Sequence, residues 1–338
     1  MSMWHWWRAQ AAAGALCIAA VCAAGCASAP EPADGFISSN DAPVGRPLPA
    51  GSELLPAAEF ADSWSPTEYA DLQGSLRPDD AAPQQRVESI HRRGRIIVGV
   101  DQSNNLLSYR DTQSGQLQGF EVDLAREIAR DIFDDPDKVD FRFVTSAERA
   151  DALQSGLVDV IIRSMSITPQ RQEELEFSLP YLATSTRLLV LKNSGITGVE
   201  DLAERTACAA AGSTSLGIVG QRAPGATALA TRNWGDCLMA LQMGQVDAVV
   251  TDDALLSGMA AQDSSLELVG VPLSTEYYGV AVRKPDHHYD SRGLIRQVNS
   301  TLERVRRDGT WQRSFTTWFG PYLQPTPLPA PNYREEDN

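Results

Sequence analysis

The sequence predicts an α/β protein built on mostly parallel sheets. Between residues 87 and 322, short apolar runs of strand length alternate with segments of helical periodicity. Polar residues follow several of those runs directly, and ligands bind outside the carboxyl ends of strands in open α/β sheets. The formal net charge of −15 argues against nucleic acid as a partner, because phosphate binding requires a basic face.

The amino terminus predicts export. Arg8 is the only charged residue before Glu31, and residues 11–24 are apolar or small throughout. Fourteen residues are too short to cross a hydrocarbon layer of roughly 30 Å, but they suit the core of a signal peptide over residues 1–25. Small residues then precede Cys26, which fits signal-peptidase cleavage and lipid attachment to that thiol. Cleavage at a nearby Ala-x-Ala site, without lipid, is the alternative.

Three cysteines remain after such cleavage, namely Cys26, Cys208 and Cys237. If Cys26 carries lipid, the other two form an even set in an oxidising compartment, where we expect a disulfide rather than two buried thiols. Neither of them has a CxxC neighbour or a histidine close in sequence. We therefore expect no metal and no cofactor.

Composition divides the mature chain into a spacer, a body and a tail. Residues 26–86 are rich in proline and alanine and are predicted to be a lipid-anchored spacer. Within it, residues 53–76 contain Phe60, Trp64 and Tyr69 and have an amphipathic pattern that could pack on the body. Residues 323–338 are predicted to be an extended C-terminal tail.

The body contains two consecutive α/β groups. In the first group, strands are predicted at 95–100, 140–144, 158–162 and 187–192, and helices at 119–133 and 148–155. In the second group, strands are predicted at 206–210, 246–251 and 278–282, and helices after 212–215 and at 236–244, 293–308 and 311–318.

A hydroxyl-rich turn follows the apolar strand at 158–162. It contains Ser164 and Ser166 and leads to Arg171. Hydroxyls and turn amides can donate to an anion, and a guanidinium can bind a carboxylate through two parallel hydrogen bonds. This pattern predicts a carboxylate site, although an arginine after a strand is more often a surface residue.

Two further polar positions have a structural alternative. Asp252 ends the strand at 246–251, where it could bind a cation or cap the next helix. Ser213 and Thr214 begin a helix, where their groups could bind an anion or serve only as an N-cap.

Eight short motifs together resemble one family. They are GFEVDL at 119–124, ALQSG with VDV at 152–160, MSITPQR at 165–171, FSLPY at 177–181, GSTS at 212–215, GQVDAVVTD at 244–252, YGVAV at 278–282, and DGT with WFG at 308–320. In this order they resemble the solute-binding proteins of polar amino-acid ABC transporters, the bacterial extracellular solute-binding protein family 3. With the predicted lipid anchor and the cysteine pair, the similarity is greatest to actinobacterial glutamine-binding lipoproteins.

The resemblance implies a type II periplasmic-binding-protein fold with two lobes and two hinge strands. Lobe 1 would comprise residues 87–180 and 281–322, and lobe 2 residues 187–276. Arg171 would bind the α-carboxylate of an amino acid together with Ser164 and Ser166. Ser213 and Thr214 would contact the same end from lobe 2, and Asp252 would bind the α-ammonium group.

The sequence departs from the family pattern at three places. Asn104 stands near the position of a common aromatic residue after the first strand, and Ser146 occupies an aromatic position in the next loop. Arg163 replaces the small residue before the turn. If Arg163 points inward, the pocket is cationic and favours glutamate or aspartate ahead of glutamine or asparagine, with Arg149 as a further contributor. Exposure on the surface is the alternative for Arg163.

The resemblance also sets expectations for partners and location. We expect a monomer on the extracytoplasmic face of the cell membrane, delivering a free amino acid to an ABC transporter permease. A ligand sensor for a membrane receptor is the main alternative, because the same pocket serves both. A dehydratase-like enzyme would need a catalytic acid or base in the cleft. The histidines lie away from the motifs, which leaves Asp252 and Glu276 as candidate acids, and we expect a binding protein.

Overall fold

The computed structural model of the chain describes residues 47–287 and 289–335. The predicted signal peptide, Cys26 and the first part of the predicted spacer lie outside these residues. In the described ranges, no helix has the length and apolar character needed to cross a membrane.

The described residues form alternating strands and helices. The strands are β1 (Glu53–Pro56), β2 (Ile96–Val100), β3 (Ser103–Asn104), β4 (Ser108–Arg110), β5 (Leu117–Gln118), β6 (Val139–Phe143), β7 (Val160–Ile161), β8 (Leu175–Leu191), β9 (Thr206–Ala210), β10 (Thr227–Thr231), β11 (Ala248–Asp252) and β12 (Leu266–Arg283). The helices are α1 (Pro83–Arg86), α2 (Glu88–Arg93), α3 (Phe120–Phe133), α4 (Arg149–Gln154), α5 (Pro169–Glu174), α6 (Thr214–Arg222), α7 (Trp234–Gln242), α8 (Asp253–Ala260), α9 (Arg292–Arg307) and α10 (Thr310–Phe319). Short 3₁₀ helices occupy Ala57–Ser63, Tyr69–Asp71 and Val199–Leu202.

Nine of these strands form one mixed sheet with the order β1-β10-β9-β11-β8-β12-β7-β2-β6. On one side, β2 pairs in parallel with β6 and β7, which gives the sheet of lobe 1. On the other side, β9 pairs in parallel with β10 and β11, which gives the sheet of lobe 2. The antiparallel strands β8 and β12 run through both lobes. The prediction of a two-lobed α/β fold with two hinge strands is confirmed.

The hinge strands are longer than the sequence indicated. β8 has 17 residues and β12 has 18, whereas the predicted lobe boundaries left only residues 181–186 and 277–280 for the crossings. Most residues of β8 are buried, because each end belongs to the core of a different lobe. A strand buried on both faces has no polar alternation to mark its ends.

An aromatic cluster fixes lobe 1. The ring of Phe120, at the start of α3, lies 6.0 Å from that of Trp311, 6.2 Å from Phe315 and 5.7 Å from Phe319, centroid to centroid. These contacts dock α10 onto α3, and edge-to-face aromatic packing adds stability beyond the buried area. Gly119, Phe120 and Leu124 therefore belong to the fold rather than to a binding site.

Residues from 47 to 86, which the composition assigned to a spacer, pack on the body. β1 adds to the edge of the lobe 2 sheet by pairing with β10, with Glu53 opposite Ala230. Trp64, Leu72 and Leu76 are buried. The amphipathic pattern in residues 53–76 was thus a better guide to this segment than its proline content.

Cys208 on β9 and Cys237 on α7 form a disulfide, with Cα atoms 5.5 Å apart. It links a strand of lobe 2 to the helix that packs against it. Closing a loop of this length restricts the unfolded chain and is typically worth about 3 kcal/mol in the chain-entropy account.

Candidate functional site

The two lobes touch across a cleft at Gly212. Its carbonyl accepts hydrogen bonds from Arg171 Nη2 at 3.1 Å and from Arg149 Nη2 at 3.0 Å. The φ angle of Gly212 is +73°, and a Cβ there would lie 2.8 Å from Ala147 Cα of lobe 1. Only glycine accepts both this conformation and this close approach. The contact brings the two arginines of lobe 1 onto the backbone of lobe 2.

Arg171 lies on α5, whose start is well defined by the sequence. Pro169 occupies the first turn, and Thr168 caps the helix by accepting a hydrogen bond from the Arg171 amide at 3.2 Å. The guanidinium turns back toward the preceding loop, where Nη1 donates to Ser166 O at 2.7 Å. Burial lowers the pKa of Arg171, while Glu276 and Asp252 oppose that change.

Asp252 ends β11 and is buried between the hinge strands. It lies opposite Thr186 of β8 and accepts hydrogen bonds from Thr186 Oγ1 at 2.9 Å and from Tyr278 Oη at 2.5 Å. Asp252 occupies the N-cap position of α8, as the alternative expected, but its carboxylate makes no capping hydrogen bond to the helix. Burial and the nearby Glu276 raise the pKa of Asp252 to about 7, because both disfavour the charged form.

Ser164 adopts a left-handed conformation with φ +38°, which points its amide into lobe 1. The amide donates to Glu121 Oε1 at 2.6 Å, and Tyr181 Oη donates to the same oxygen at 2.6 Å. Burial raises the pKa of Glu121 to about 7, although both hydrogen bonds act in the opposite direction. Glu121 therefore fixes the turn at Ser164 by accepting a hydrogen bond from its amide.

Glu276 of β12 joins the hydroxyls of both lobes. Thr214 Oγ1 lies 3.4 Å from Glu276 Oε2, and Ser166 of lobe 1 is a side-chain partner of the same carboxylate. Burial raises the pKa of Glu276, and its hydrogen bonds and Arg171 oppose that rise. The predicted site residue Ser213 directs its hydroxyl to Ala210 O at 2.6 Å, so only its backbone faces the cleft end of α6.

Arg163 points inward and is fully buried, so the surface alternative for this residue is wrong. Its guanidinium pairs with the buried carboxylate of Asp101 and donates to Ser146 Oγ. Asp101 directly follows β2, and Arg163 follows the neighbouring parallel strand β7. The charge of Arg163 is thereby matched within lobe 1.

Arg149 is also buried, but its partners are uncharged. It donates to the carbonyl oxygens of Ser146 at 2.8 Å, Arg163 at 3.3 Å and Ser164 at 3.4 Å, in addition to Gly212. Among the described residues, Arg149 forms no ion pair with a carboxylate. Burial and the neighbouring Arg171 and Arg163 lower the pKa of Arg149.

Several polar atoms at the cleft have no protein partner within the described part of the chain. They are both side-chain amide atoms of Asn104, the hydroxyl of Ser164 and Nε of Arg163, and all of them are buried. Buried polar groups in native proteins almost always have hydrogen-bond partners. Ser164 and Arg163 lie beside Arg149, which donates to both of their carbonyl oxygens, so their unpaired atoms are candidate contacts for a polar ligand. Asn104 lines a separate recess with Trp234 and Met259.

Sequence reasoning gave Asp101, Glu121 and Tyr278 no role at this site. Asp101 carried a usable signal, because it stands immediately after a strand, as Asp252 does. Glu121 and Tyr278 gave none, because they lie inside motifs that also serve the fold. Residues 47–287 and 289–335 contain no group of three His, Cys, Asp or Glu side chains placed to hold a metal ion.

Two lobes that meet over a buried set of opposite charges define a solute-binding protein. The chain belongs to the bacterial extracellular solute-binding proteins, family 3, whose model matches residues 96–321.

Relatives with this fold bind amino acids. The ABC transporter glutamine-binding protein GlnH of Bacillus subtilis is 36% identical over 226 residues, which cover 67% of this chain and 81% of that protein. The glutamate-binding protein GluB of Corynebacterium efficiens is 32% identical over 239 residues, with 67% and 79% covered. These relatives are named as binding proteins, and the chain, as a member of their family, is a solute-binding protein rather than an enzyme.

Solved structures agree with this assignment. An ancestral arginine-binding protein bound to glutamine is 34% identical, with a TM-score of 0.61 and coverage of 68% of this chain and 99% of that one. A solute receptor for L-cysteine from Neisseria gonorrhoeae is 28% identical, with a TM-score of 0.65 and coverage of 70% and 94%.

Proposed function

We propose that this protein captures a polar amino acid between its lobes, with glutamate or aspartate bound ahead of glutamine or asparagine, and delivers it to an ABC transporter. Among the relatives, the Escherichia coli protein named glutamate/aspartate import solute-binding protein is 28% identical over 272 residues. Because some relatives are named for glutamine and others for glutamate, they do not decide which ligand side chain is preferred. The preference has to be argued from the residues of the cleft.

The main support for an acidic ligand is the difference between Arg149 and Arg163. The charge of Arg163 is matched by Asp101, whereas Arg149 donates only to carbonyl oxygens. A buried cation without an anion is unfavourable, and an anionic side chain supplies the missing charge. We therefore take Arg149 as the cation that, in addition to Arg171, pairs with an acidic ligand. Arg163 is already neutralised by Asp101.

Burial weakens the negative charge of the acids near the cleft at neutral pH, because it raises the pKa values of Asp252, Glu121 and Glu276. The pKa values of Asp252 and Glu121 are each raised to about 7, so each carboxyl group is about half protonated there. A ligand ammonium beside Asp252 would favour its charged form, because an opposite charge lowers the pKa of a carboxyl group.

The roles follow from these contacts. Arg171 and the hydroxyl of Ser166 bind the α-carboxylate, together with the amino-terminal end of α6 at Ser213 and Thr214. Asp252 binds the α-ammonium group. Asn104, Ser146 and the hydroxyl of Ser164 contact the remainder of the ligand, which is why two aromatic positions of the family are polar here.

A ligand screen followed by one matched pair of variants tests the proposal. Calorimetry against all twenty amino acids should show glutamate or aspartate binding most tightly at pH 7. Arg149→Gln should then weaken glutamate at least about tenfold more than glutamine, since only glutamate needs the charge.

The matched control removes the other arginine together with its own anion. The double variant Arg163→Gln with Asp101→Asn leaves the net charge of lobe 1 unchanged, and we expect equal effects on glutamate and glutamine. Tighter binding of glutamine by the wild-type protein, or an Arg149→Gln change that affects both ligands equally, contradicts the acidic preference.

We further propose that Cys26 is lipidated and holds the protein, as a monomer, on the extracytoplasmic face of the cell membrane. The apolar run that ends in small residues and Cys26 supports this. Mass spectrometry of the native protein should show acyl chains on Cys26. A mature protein that begins at another residue contradicts it.

A further inference from the structure

Residues 53–76 connect the two lobes outside the family region. The family model begins at residue 96, yet these residues contact lobe 2 at one end and lobe 1 at the other. We call this segment the strap.

The first end of the strap is built into lobe 2. After β1, the 3₁₀ helix Ala57–Ser63 packs directly against α6. Two glycines of α6 permit this approach, since a Cβ on Gly217 would lie 2.4 Å from Trp64 Cβ, and one on Gly220 would lie 2.6 Å from the Ala61 amide nitrogen. Gln221 Nε2 also donates to Trp64 O at 2.6 Å. Backbone contacts this close hold the strap firmly on α6.

The other end is bound to lobe 1. Leu72 is buried in the same apolar cluster as Ile167 and Phe177. Gln73 and Gln172 exchange two hydrogen bonds, of 3.0 Å from the Gln73 amide and 2.7 Å to the Gln73 carbonyl. Next, Ser75 Oγ donates to Phe177 O at 2.7 Å. The strap therefore spans the gap between the lobes.

Trp64 occupies the middle of this span and is only 5% exposed. It lines a cavity of about 360 Å³ together with Arg171, Ser213 and Thr214. It also lines a smaller recess with Glu276 and Thr168, which places its side chain beside the Glu276 carboxylate. The indole thus stands at the Arg171 end of the cleft, against residues of both lobes.

We propose that Trp64 is a positioning residue for ligand retention. Its indole N–H holds the Glu276 carboxylate between Ser166 of lobe 1 and Thr214 of lobe 2, and its ring closes the Arg171 end of the cleft. The inference rests on the proposed function, because Arg171 is taken as the α-carboxylate site. The strap then slows the opening that releases the ligand, and Trp64 acts through Glu276 rather than on the ligand itself.

The decisive variant is Trp64→Phe, which keeps a ring and removes the N–H donor. Release of radiolabelled glutamate into an excess of unlabelled glutamate should become roughly tenfold faster, as expected for loss of a hydrogen bond to a carboxylate. Trp64→Ala should release glutamate faster still. If Trp64→Ala fails to fold, Trp64→Phe alone decides the question.

Trp318→Phe is the matched control. Trp318 Nε1 donates to Asp123 Oδ2 at 2.8 Å in lobe 1, so this change also removes an indole donor from a carboxylate. We expect its release rate to stay within twofold of the wild-type rate. Equal acceleration in both variants would mean that general loosening, and not the position of Trp64, controls release.

A pH profile separates positioning from simple packing. Without the indole donor, Glu276 should take up a proton at higher pH, because hydrogen bonds to the charged form favour that form. The pH below which release accelerates should therefore rise in Trp64→Phe and not in Trp318→Phe. The other charged groups around Glu276 are Arg171 and Asp252, which both variants leave in place.

The outcomes distinguish this inference from the proposed function. If the wild-type protein binds no amino acid, the proposed function is wrong. If it binds glutamate and Trp64→Phe releases it at the wild-type rate with an unchanged pH profile, the role of Trp64 is wrong while the proposed function stands.

Discussion

Arg163 and Arg149 are neighbouring buried arginines of lobe 1, but only the charge of Arg163 is balanced by a carboxylate. Arg163 has a carboxylate partner in Asp101, which stands opposite it at the ends of two paired parallel strands. Arg149 has only backbone carbonyls, one of which belongs to lobe 2. The first arrangement is complete within the lobe and serves the fold. The second lacks an anion, which is the reason that we propose Arg149 as a ligand-binding residue.

The largest expected effect comes from breaking the ion pair between Arg163 and Asp101. Asp101→Ala leaves Arg163 buried without its anion, and removal of one partner of a buried ion pair typically costs about 3–5 kcal/mol of unfolding free energy. Urea unfolding should show this loss, with much of it recovered when Arg163→Gln is added. A loss below about 1 kcal/mol would mean that the pair is not essential to lobe 1.

The next effect concerns the clamp, by which we mean Arg171 and Asp252, the residues proposed to bind the two charged groups of the ligand. Arg171→Ala or Asp252→Ala should each weaken amino-acid binding by about 2–5 kcal/mol, because each leaves the opposite ligand charge without a partner in a desolvated cleft. Calorimetry measures the change, and Arg92→Ala is the control, since Arg92 is exposed and pairs only with exposed Glu88. Binding within threefold of the wild-type affinity in either clamp variant contradicts the assignment.

Glu121 predicts a pH dependence of stability. Burial raises its pKa from the ordinary 4.5 to about 7 in the folded protein, so the folded state keeps a proton that the unfolded state has lost. Stability should therefore fall as pH rises from 4.5 to 7, by up to roughly 3 kcal/mol, and then level off. Glu121→Gln keeps the acceptor for Ser164 and Tyr181, and its unfolding free energy should vary less over this range. An equal pH slope in both proteins would assign the effect to other groups.

The smallest effect should be seen in binding below neutral pH. The ligand ammonium needs ionised Asp252, whose pKa is about 7 in the free protein, so affinity should fall by about fivefold between pH 7 and pH 6, as the ionised fraction of Asp252 falls. Glu276, Tyr278 and Asp253 face the same carboxylate; the two acids raise its pKa, and the hydrogen bond from Tyr278 lowers it. Calorimetry in buffers of different ionisation enthalpy should detect proton release on binding near pH 6. Asp252→Asn should abolish that release.

The sequence located the candidate residues that follow strand ends. Arg171, Ser164 and Asp252 were singled out in this way, because the ends of parallel strands meet at one edge, and their binding roles remain predictions. The Arg163–Asp101 pair could not be found, since it depends on the register between β2 and β7, across 62 residues of chain.

The strap and β10 illustrate two other limits. Proline content placed the strap in a predicted spacer, whereas its amphipathic pattern indicated that it could pack on the body; its prolines lie outside the buried positions Trp64, Leu72 and Leu76. β10 was not predicted, because its TALAT sequence is rich in alanine, which has low intrinsic preference for strands. It forms only because it is buried between β9 and β1.

The ladder between β8 and β12 has a mechanical consequence. Its register shifts between Tyr278 and Gly279, so the pairing is interrupted at the residue whose hydroxyl binds Asp252. An irregularity of this kind is where a long ribbon bends most easily. One of the points at which this ribbon can bend therefore lies beside Asp252, the carboxylate proposed to bind the ligand ammonium, so that ligand binding and bending of the hinge would occur at the same place.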